Sequence, residues 1–452
     1  MISPDAADAN RRVNLIGCVT GNLGLGVVAR ALGKAALARG FQVTVLDLDA
    51  GNGHARMAMD PAFAVISSAD EFKPGINLVV LPPLGVVHLL ARGGALSQLL
   101  AREDCLNALF TFWELPVLPS SWLRALQLFD AVVAPSGFIE GTLDAVLSGT
   151  PVVRGLTPLE LPSGIAADRA RFGLPEGVFL AVSSFDPLSD PERKNPQAAI
   201  EAFHRAFGDS DSARLVVKLS VPAGGYANKE LDRTVLQPLL KRLRADGRTL
   251  VIADSLSYRD VLSLYASADV FISLHRAEGL GLGLLESMAL GKPVVATGWS
   301  GNKVFMSPAS ACMVRYALVP TKATHEAYLA AMNGLEPYWA EPDIDDAALW
   351  LQRLASDSAL RLSIGSAATR AYLRYQSEAA TLGFLDDLIA LRQHQEANSR
   401  APSAEVRRRR IREVQHTLQL AGLGPAGRLG LRLRDQFDRH IAWRLAARST
   451  AK

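Results

Sequence analysis

Short, mostly apolar runs recur in the first third of the chain and alternate with longer segments of helical periodicity. The runs cover residues 13–19, 42–48, 77–81, 108–113 and 131–134. A run that is apolar throughout is typical of a parallel strand buried on both faces of its sheet. Strand–helix alternation of this kind predicts an α/β fold with a doubly wound sheet.

The alternation is interrupted once and then starts again. Residues 157–164 contain two prolines and a glycine, which indicates a linker. Apolar runs return at residues 178–184, 215–219, 249–253, 270–274 and 293–297. We therefore predict two Rossmann-like domains, over residues 1–160 and 161–376, that face each other across a cleft. In open α/β sheets, ligands bind beyond the carboxyl ends of the strands.

The pattern becomes helical after Asp345 and stays so to the end of the chain. One helix is predicted over residues 378–395. We expect the segment 377–398 that contains it to return to the first domain. Residues 399–452 form a different, arginine-rich segment, which is predicted to be a basic helical tail. The second domain is thus followed by a helical C-terminal extension.

Composition narrows the class of protein. The chain has 452 residues, of which 49% are apolar and 21% charged, and this suits a folded protein of two or three domains. Its three cysteines are scattered, without a CxxC pair, so neither a disulfide framework nor structural zinc is expected. The first ten residues do not resemble a signal peptide, and the apolar runs are too short to cross a bilayer. A cytoplasmic location is expected, with peripheral contact at the inner face of a membrane as an option.

Two glutamates and three glycines form the most informative stretch. Glu278 and Glu286 are eight residues apart, and Gly279, Gly281 and Gly283 lie between them. The stretch follows a predicted strand and begins a predicted helix. Glycines let a ligand approach the backbone, and the first N–H groups of a helix attract anions. The pattern predicts a site for a sugar diphosphate, with a carboxylate at each end to accept hydrogen bonds from hydroxyl groups.

Residues 268–302 resemble the donor-site signature of family 4 glycosyltransferases, E-G-x-G-L-x-x-x-E followed by A-x-G-K-P-V-V-A-T. The resemblance implies the GT-B fold and transfer with retention of anomeric configuration. It also implies that Glu278 contacts the transferred sugar, that Glu286 holds the ribose hydroxyls, and that the backbone at Gly281 and Leu282 binds the diphosphate. Leu280 is a departure, because the family often has Phe there.

A second group of residues, 183–196, lies between a predicted strand and a predicted helix. It contains Ser184, Arg193 and Lys194. The family places a basic residue here to neutralise the departing diphosphate, and Ser184 is a further candidate donor contact. Two fixed cations replace a divalent metal in such chemistry. No convincing DxD metal motif is present, so we expect neither a metal nor another cofactor. The expected co-substrate is a GDP- or UDP-linked sugar.

Two loops of the first domain are candidates for the other side of the cleft. The glycines of residues 21–26 have the spacing GxxGxG, which differs from the GxGxxG of dinucleotide-binding folds and argues against an NAD-dependent dehydrogenase. Gly24 is expected near the donor phosphates and Asn22 near the acceptor. Trp113 beside Glu114 suits sugar stacking with hydroxyl binding. Packing of Trp113 in the core is the alternative. We find no histidine in this part of the first domain, where many family members have one.

The resemblance, together with these residues, implies a retaining, metal-independent hexosyltransferase that acts by front-side transfer. The acceptor is expected to be a hydroxyl group of a glycan or a lipid-linked glycan. Two alternatives remain: a catalytically inactive glycosyltransferase-like binding subunit, and a nucleotide-sugar epimerase on the same fold. The sequence determines neither the sugar, nor the acceptor, nor the oligomeric state.

The tail has a charge pattern of its own. Residues 401–452 contain 12 Lys and Arg but 4 Asp and Glu, a net charge of +8, whereas the whole chain has +3. The tail begins with five arginines and continues with an apolar residue at every fourth position: Arg407–Arg410 and Arg412, then Leu429, Leu433, Phe437, Ile441 and Leu445. Such a helix either lies on an anionic membrane or packs on the body or on a second subunit. Nucleic-acid binding is not expected, because no aromatic platform accompanies the arginines.

Overall fold

The computed structural model describes residues 9–48, 57, 59–221, 229–245, 248–332, 335–398 and 401–422. These residues form two α/β units, each built on a parallel sheet, and a helical C-terminal extension. The predicted fold class is confirmed. Among the helices of the described residues, none is long and apolar enough to cross a membrane.

The first sheet has seven parallel strands in the order β3-β2-β1-β4-β5-β6-β7. The strands are β1 Arg12–Gly17, β2 Gln42–Asp47, β3 Ala64–Ile66, β4 Ile76–Val80, β5 Leu106–Phe110, β6 Ala131–Ala134 and β7 Val152–Arg154. Strands β1, β4, β5 and β6 are buried along their whole length, which explains their mostly apolar sequences. The buried amides of Asn14, Asn77 and Asn107 are hydrogen-bonded to one another across the strands. The strand order reverses between β1 and β4, so a crevice opens at the carboxyl ends of these two strands.

The second sheet has six parallel strands in the order β10-β9-β8-β11-β12-β13. They are β8 Phe179–Phe185, β9 Ala213–Leu219, β10 Thr249–Ile252, β11 Val270–Ser273, β12 Val294–Thr297 and β13 Cys312–Val314. Here the order reverses between β8 and β11. The loops after these two strands carry the residues that the sequence singled out, Ser184 to Lys194 and Glu278 to Leu282. The fold therefore brings both groups to one crevice.

Helices cover both faces of each sheet. In the first unit they are α1 Gly24–Ala38, α2 Pro83–Arg92, α3 Ala95–Leu100, α4 Ser120–Leu126 and α5 Gly137–Asp144. In the second they are α6 Pro191–Lys194, α7 Pro196–Phe207, α8 Lys229–Leu231 with a π-turn Asp232–Leu236, α9 Gln237–Leu243, α10 Tyr258–Ser267, α11 Leu282–Ala289, α12 Glu326–Ala331, α13 Ile344–Ser356 and α14 Ser358–Ala379. Then come α15 Gly383–Ala397 and α16 Ala404–Gly422. Short 3-10 turns lie at Ala69–Glu71, Ala170–Phe172, Pro187–Ser189 and Gly301–Val304.

The chain crosses back to the first unit between α14 and α15. The helix predicted over residues 378–395 is present as α15, but its predicted start was wrong, because α14 ends at Ala379 and α15 begins at Gly383. Leu382 between them has a left-handed backbone with φ of 46°. That turn redirects the chain, so that the apolar face of α15, with Phe384, packs into the core of the first sheet.

The described part of the basic tail also packs on the first unit. Ile411, Val414 and Leu418 of α16 join the core on the opposite face of the first sheet from α15. Arg407 forms a buried ion pair with Asp130, with 3.0 Å between Nη2 and Oδ1. The packing alternative therefore holds for residues 404–418. The predicted stripe from Leu429 to Leu445 lies outside the described residues.

An excursion between β13 and α13 was not predicted. It consists of two antiparallel strands, β14 Tyr316–Pro320 and β15 Tyr338–Pro342, with α12 between them. We call its described residues, 316–332 and 335–342, the arm. Ala327, Tyr328 and Trp339 of the arm belong to the core of the first unit, although the arm starts from the second. The arm therefore bridges the two units.

Candidate active site

A cleft of about 430 Å³ lies between the two units, at the carboxyl ends of both sheets. All but two of the residues predicted for the site line it: Gly24, Trp113, Glu114, Ser184, Arg193, Lys194, Glu278, Gly281 and Leu282. Asn22 and Glu286 are not among the lining residues. The cleft is closed by contacts between the units, such as the bond from the Ser136 hydroxyl to the Gly279 carbonyl at 3.2 Å.

Glu278 lies in the loop after β11 and is buried between two cations. Its carboxylate is 2.5 Å from Lys194 Nζ and 3.6 Å from Arg193 Nη1. Its backbone N–H donates to the Ser300 hydroxyl at 2.7 Å, which fixes the loop. Burial alone would raise the pKa of Glu278, but Lys194 and Arg193 lower that pKa to about 2. The carboxylate is therefore ionised throughout the neutral range.

Close backbone packing also shapes this loop. A β-carbon on Gly301 would lie 1.9 Å from the Gly279 carbonyl oxygen, so only glycine fits there. The Gly301 N–H donates to the Glu278 carbonyl at 2.8 Å. The loop that carries the first acid is thus held from both sides, and the carboxylate has a fixed position at the mouth of the crevice.

The two predicted cations are not equivalent. Arg193 is buried, and its guanidinium donates to the carbonyl oxygens of Ala277 at 2.7 Å and Ser189 at 2.9 Å. Within the described residues the Lys194 ammonium pairs with Glu278 alone, and 18% of its side chain is exposed. The sequence placed both cations on the departing diphosphate. In the structure Arg193 mainly holds the loops together, and Lys194 is the more accessible charge.

Glu286 was predicted to contact the ligand, but it lies deeper than the residues that line the cleft. It lies on the buried side of α11 and accepts a hydrogen bond from the Tyr258 hydroxyl on Oε1 at 2.9 Å. Burial raises the pKa of Glu286 to about 7, although Tyr258 and Lys218 oppose the rise. Burial lowers the pKa of Lys218 to about 8. The second acid is therefore partly protonated near neutral pH, beneath the floor of the cleft.

Two helix N-termini meet across the cleft. Helix α1 of the first unit begins at Gly24 and α11 of the second at Leu282, and no side-chain cap is recorded at either of these described ends. A β-carbon on Gly24 would lie 3.3 Å from Leu282 Cδ1, so the two ends are in contact. Gly281 caps α11 with a φ of 90°, a conformation that glycine adopts without strain. Both ends offer backbone N–H groups to an anion.

Trp113 and Asn22 do not have the predicted roles. Trp113 is only 3% exposed, its indole N–H donates to the Val117 carbonyl at 2.7 Å, and its ring packs against Trp122. Core packing, the alternative to a sugar platform, is what the structure shows. Asn22 reaches across the cleft edge, where its amide donates to the Leu256 carbonyl at 3.4 Å. It joins the two units and does not line the cleft.

The sequence missed three residues that the structure adds to the site. His325 and Tyr328 reach the cleft from the arm, and the Tyr328 hydroxyl donates to Glu114 Oε2 at 2.9 Å. Asp190, with a positive φ of 64°, accepts from the backbone N–H groups of Thr324 and His325. One signal was available: some thirty residues separate β13 from α13, far more than an α/β connection needs.

Comparisons with known proteins define the class. The solved structure of sucrose-phosphate synthase from Thermosynechococcus elongatus is similar, with a TM-score of 0.60 at 15% identity over 86% of this chain and 100% of that one. Anabaena HepE, solved in complex with UDP and glucose, has a TM-score of 0.56 at 13% identity over 84% and 100%. The two sheets and the cleft are those of the GT-B fold.

The sequence comparisons also find glycosyltransferases. Residues 176–335, which lie mostly in the second unit, match the model of Glycosyl transferases group 1, and this match supports the predicted resemblance to family 4 glycosyltransferases. α-Monoglucosyldiacylglycerol synthase of Streptococcus pneumoniae is 26% identical over 37% of this chain and 37% of its own length. D-inositol 3-phosphate glycosyltransferase of Acidothermus cellulolyticus is 28% identical over 41% and 38%. The chain spans less than two fifths of the length of these curated relatives.

Proposed function

We propose that this protein is a retaining, metal-independent glycosyltransferase. It would move a hexose from a UDP- or GDP-linked donor to a hydroxyl group of a glycan or lipid-linked glycan. The observation that carries the proposal is the position of Glu278: an ionised carboxylate, paired with two cations, in a cleft where two helix N-termini meet. A sugar diphosphate has a polyhydroxyl end and a doubly charged end, and the two parts of the cleft complement them.

The charges of the cleft favour one orientation of the nucleotide-sugar donor. The diphosphate would take the N–H groups at Leu282 and at the start of α1, where the helix dipoles favour negative charge. The hexose would lie toward Glu278, which accepts hydrogen bonds from its hydroxyls. The ribose would lie toward Glu286, whose Oε1 already holds the Tyr258 hydroxyl. Binding there requires a small opening at the floor of the cleft.

The reaction needs no residue that forms a covalent intermediate. The bond between the anomeric carbon and the phosphate oxygen breaks while the acceptor oxygen approaches from the same face. The departing phosphate oxygen takes the proton of the acceptor hydroxyl, and the products are a glycoside with retained configuration and a nucleoside diphosphate. Lys194 and the helix N-termini would stabilise the charge that grows on the leaving group. These groups would supply the compensation that a metal ion gives in other transferases.

The acceptor side rests on weaker support. The pneumococcal relative is, by its name, a synthase of a glycolipid, and the other relative acts on an inositol phosphate. We propose a lipid-linked glycan as the acceptor for this protein. Arg408, Arg409 and Arg412 on the exposed face of α16 would then attract an anionic membrane surface. Co-sedimentation with anionic vesicles, compared between the wild type and a variant in which Arg408, Arg409 and Arg412 are replaced by glutamine, tests that contact without removing the buried side of α16.

The test of the main proposal starts with binding. The protein is titrated with UDP, UDP-glucose, GDP and GDP-mannose in a thermal-shift assay, since a ligand of the folded state raises its melting temperature. Release of nucleoside diphosphate is then followed with a panel of glycosides, with and without EDTA. Binding of one nucleotide series and transfer that survives EDTA are expected. Binding without transfer would favour an inactive subunit, and loss of transfer in EDTA would overturn metal independence.

A further inference from the structure

The arm brings a histidine into the cleft that the first domain lacks. His325 lies at the start of α12, and its backbone N–H donates to Asp190 Oδ2 at 2.9 Å. Its side chain lines the cleft together with Ala327 and Tyr328, opposite the loops of the second unit. His325 reaches the cleft because the arm extends from the second unit to the first, so its position depends on tertiary structure and not on the neighbouring sequence.

The hydrogen bonds of His325 determine which nitrogen carries the proton. Nδ1 accepts a bond from the Ala327 N–H at 3.2 Å, and a neutral imidazole that accepts at Nδ1 carries its hydrogen on Nε2. Burial lowers the pKa of His325, against the charge of Asp190, which keeps the ring neutral. Within the described ranges no hydrogen-bond partner of Nε2 is recorded. The ring therefore presents one N–H donor to whatever occupies the cleft.

The charges around this donor select a neutral ligand group. Glu114 and Asp190 lie close enough to influence His325, and they are acidic. The two cations that line the cleft within the described residues are both paired: Arg193 with two backbone carbonyls and Glu278, and Lys194 with Glu278. A phosphate beside His325 would face Glu114 and Asp190, whereas a sugar hydroxyl accepts a bond from Nε2 and donates one to a carboxylate. The surroundings match a hydroxyl-bearing ring.

We propose that His325 is a sugar-contacting residue, whose Nε2–H donates to a hydroxyl oxygen of the transferred hexose. This inference rests on the proposed function. The bond from Tyr328 to Glu114 holds the arm over the cleft, and the Tyr328 ring packs on the Arg193 guanidinium at 5.7 Å. Tyr328 is thus a positioning residue for the arm.

The test separates the sugar from the nucleotide. His325→Asn keeps a side chain that caps a helix N-terminus but removes the Nε2 donor. Dissociation constants are measured by calorimetry for UDP and UDP-glucose, or for GDP and GDP-mannose if the wild type prefers guanine. The variant is expected to bind the nucleotide sugar about three- to tenfold more weakly, the effect of one lost hydrogen bond, with unchanged affinity for the nucleoside diphosphate. His416→Asn, on the exposed side of α16, is the matched control.

Two further variants keep the test decisive if His325→Asn unfolds. Tyr328→Phe removes only the bond to Glu114, and Tyr338→Phe makes the same change on the exposed outer face of the arm. The first is expected to lose sugar affinity and the second to behave as wild type. Equal losses for nucleotide and nucleotide sugar, or no loss, would overturn the role of the arm. A wild type that binds no nucleotide would instead overturn the proposed function itself.

Discussion

The two ends of the donor motif place the same side chain in opposite electrostatic surroundings. At the loop end, Glu278 is buried beside Lys194 and Arg193, and its pKa falls to about 2. At the helix end, Glu286 is buried beside Tyr258, and its pKa rises to about 7. Both carboxylates are desolvated, and the difference comes from what each one faces. Burial alone therefore does not set the charge of an acid in this cleft.

The topology of the second sheet explains the difference. Glu278 follows β11, and the two cations follow β8, its neighbour at the point where the strand order reverses. The acid and the cations thus meet at one sheet edge without any closeness in sequence. Glu286 lies about one turn into α11, where this helix packs against α10 and Tyr258. Glu278, at the loop end of the motif, therefore keeps a fixed negative charge, whereas Glu286, at the helix end, exchanges a proton near neutral pH.

Loss of the fixed charge is expected to have the largest effect. Glu278→Gln should lower transfer by about two to three orders of magnitude, the scale seen when one preorganised electrostatic contact is removed. It should also lower the free energy of unfolding by about 3 kcal/mol, because buried Arg193 loses its counter-charge. Nucleoside diphosphate release and urea denaturation measure the two effects.

The control for this variant is Glu201→Gln on the exposed surface of α7, which should change neither quantity. Near-wild-type transfer by Glu278→Gln would remove the distinction between the two ends of the motif. A loss of stability without a loss of transfer would assign Glu278 to the structure of the loop alone.

The raised pKa of Glu286 predicts a stability that depends on pH. Its ordinary value is 4.5 and its folded value is about 7, so the folded state binds the proton more tightly than the unfolded state. The stabilising effect of that proton is fully present below pH 4.5 and is lost as the pH rises through 7. The loss amounts to roughly 3 kcal/mol.

Glu286→Gln removes this titration, so its unfolding free energy should decline less than that of the wild type between pH 5 and pH 8. Urea denaturation at the two pH values gives the comparison. Glu278 should show the opposite sign, with its contribution present above pH 4.5 and lost as the pH falls toward 2. Parallel pH profiles for wild type and Glu286→Gln would contradict the assignment.

The smallest expected effect is that of the tyrosine which partners Glu286. Tyr258→Phe removes the hydroxyl that donates to Oε1 and so removes a contact that holds the pKa of Glu286 down. The midpoint of the pH-dependent stability change should move upward, and the variant should lose about 1 kcal/mol at pH 7. Tyr338→Phe, whose ring is exposed on the arm, serves as the reference. An unshifted midpoint would mean that the Tyr258 hydroxyl does not contribute to the proton affinity of Glu286.

The sequence pattern predicted the elements whose structure depends on neighbouring residues. The parallel strands and the acid–glycine motif follow from runs of apolar residues and from the turn chemistry around Gly281. The prediction failed where partners come from far along the chain. Trp113 looked like a sugar platform, but the ring of Tyr328 from the arm packs against it with 5.4 Å between centroids. Arg193 looked like a free cation, but the carbonyl of Ala277, from a different strand-end loop, binds it.

The arm shows the same limit on a larger scale. Its length was visible in the sequence, but nothing local indicates that Tyr328 bonds to Glu114 more than two hundred residues earlier. The left-handed turn at Leu382 could not be predicted from the sequence either, because a leucine rarely adopts that conformation unless tertiary packing stabilises it. Both features connect the two units. Residues that connect the two units are therefore hard to predict when each domain is considered separately.

The return of the last helices to the first unit has a consequence for synthesis on the ribosome. Phe384, Leu385 and Leu388 of α15 cover one face of the first sheet, and Ile411, Val414 and Leu418 of α16 cover part of the other. The strands of that sheet are translated more than two hundred residues before these helices emerge. Translation of the first unit starts first, but the helices that complete it are translated last. Part of the apolar surface of its sheet therefore stays exposed while the second unit is synthesised.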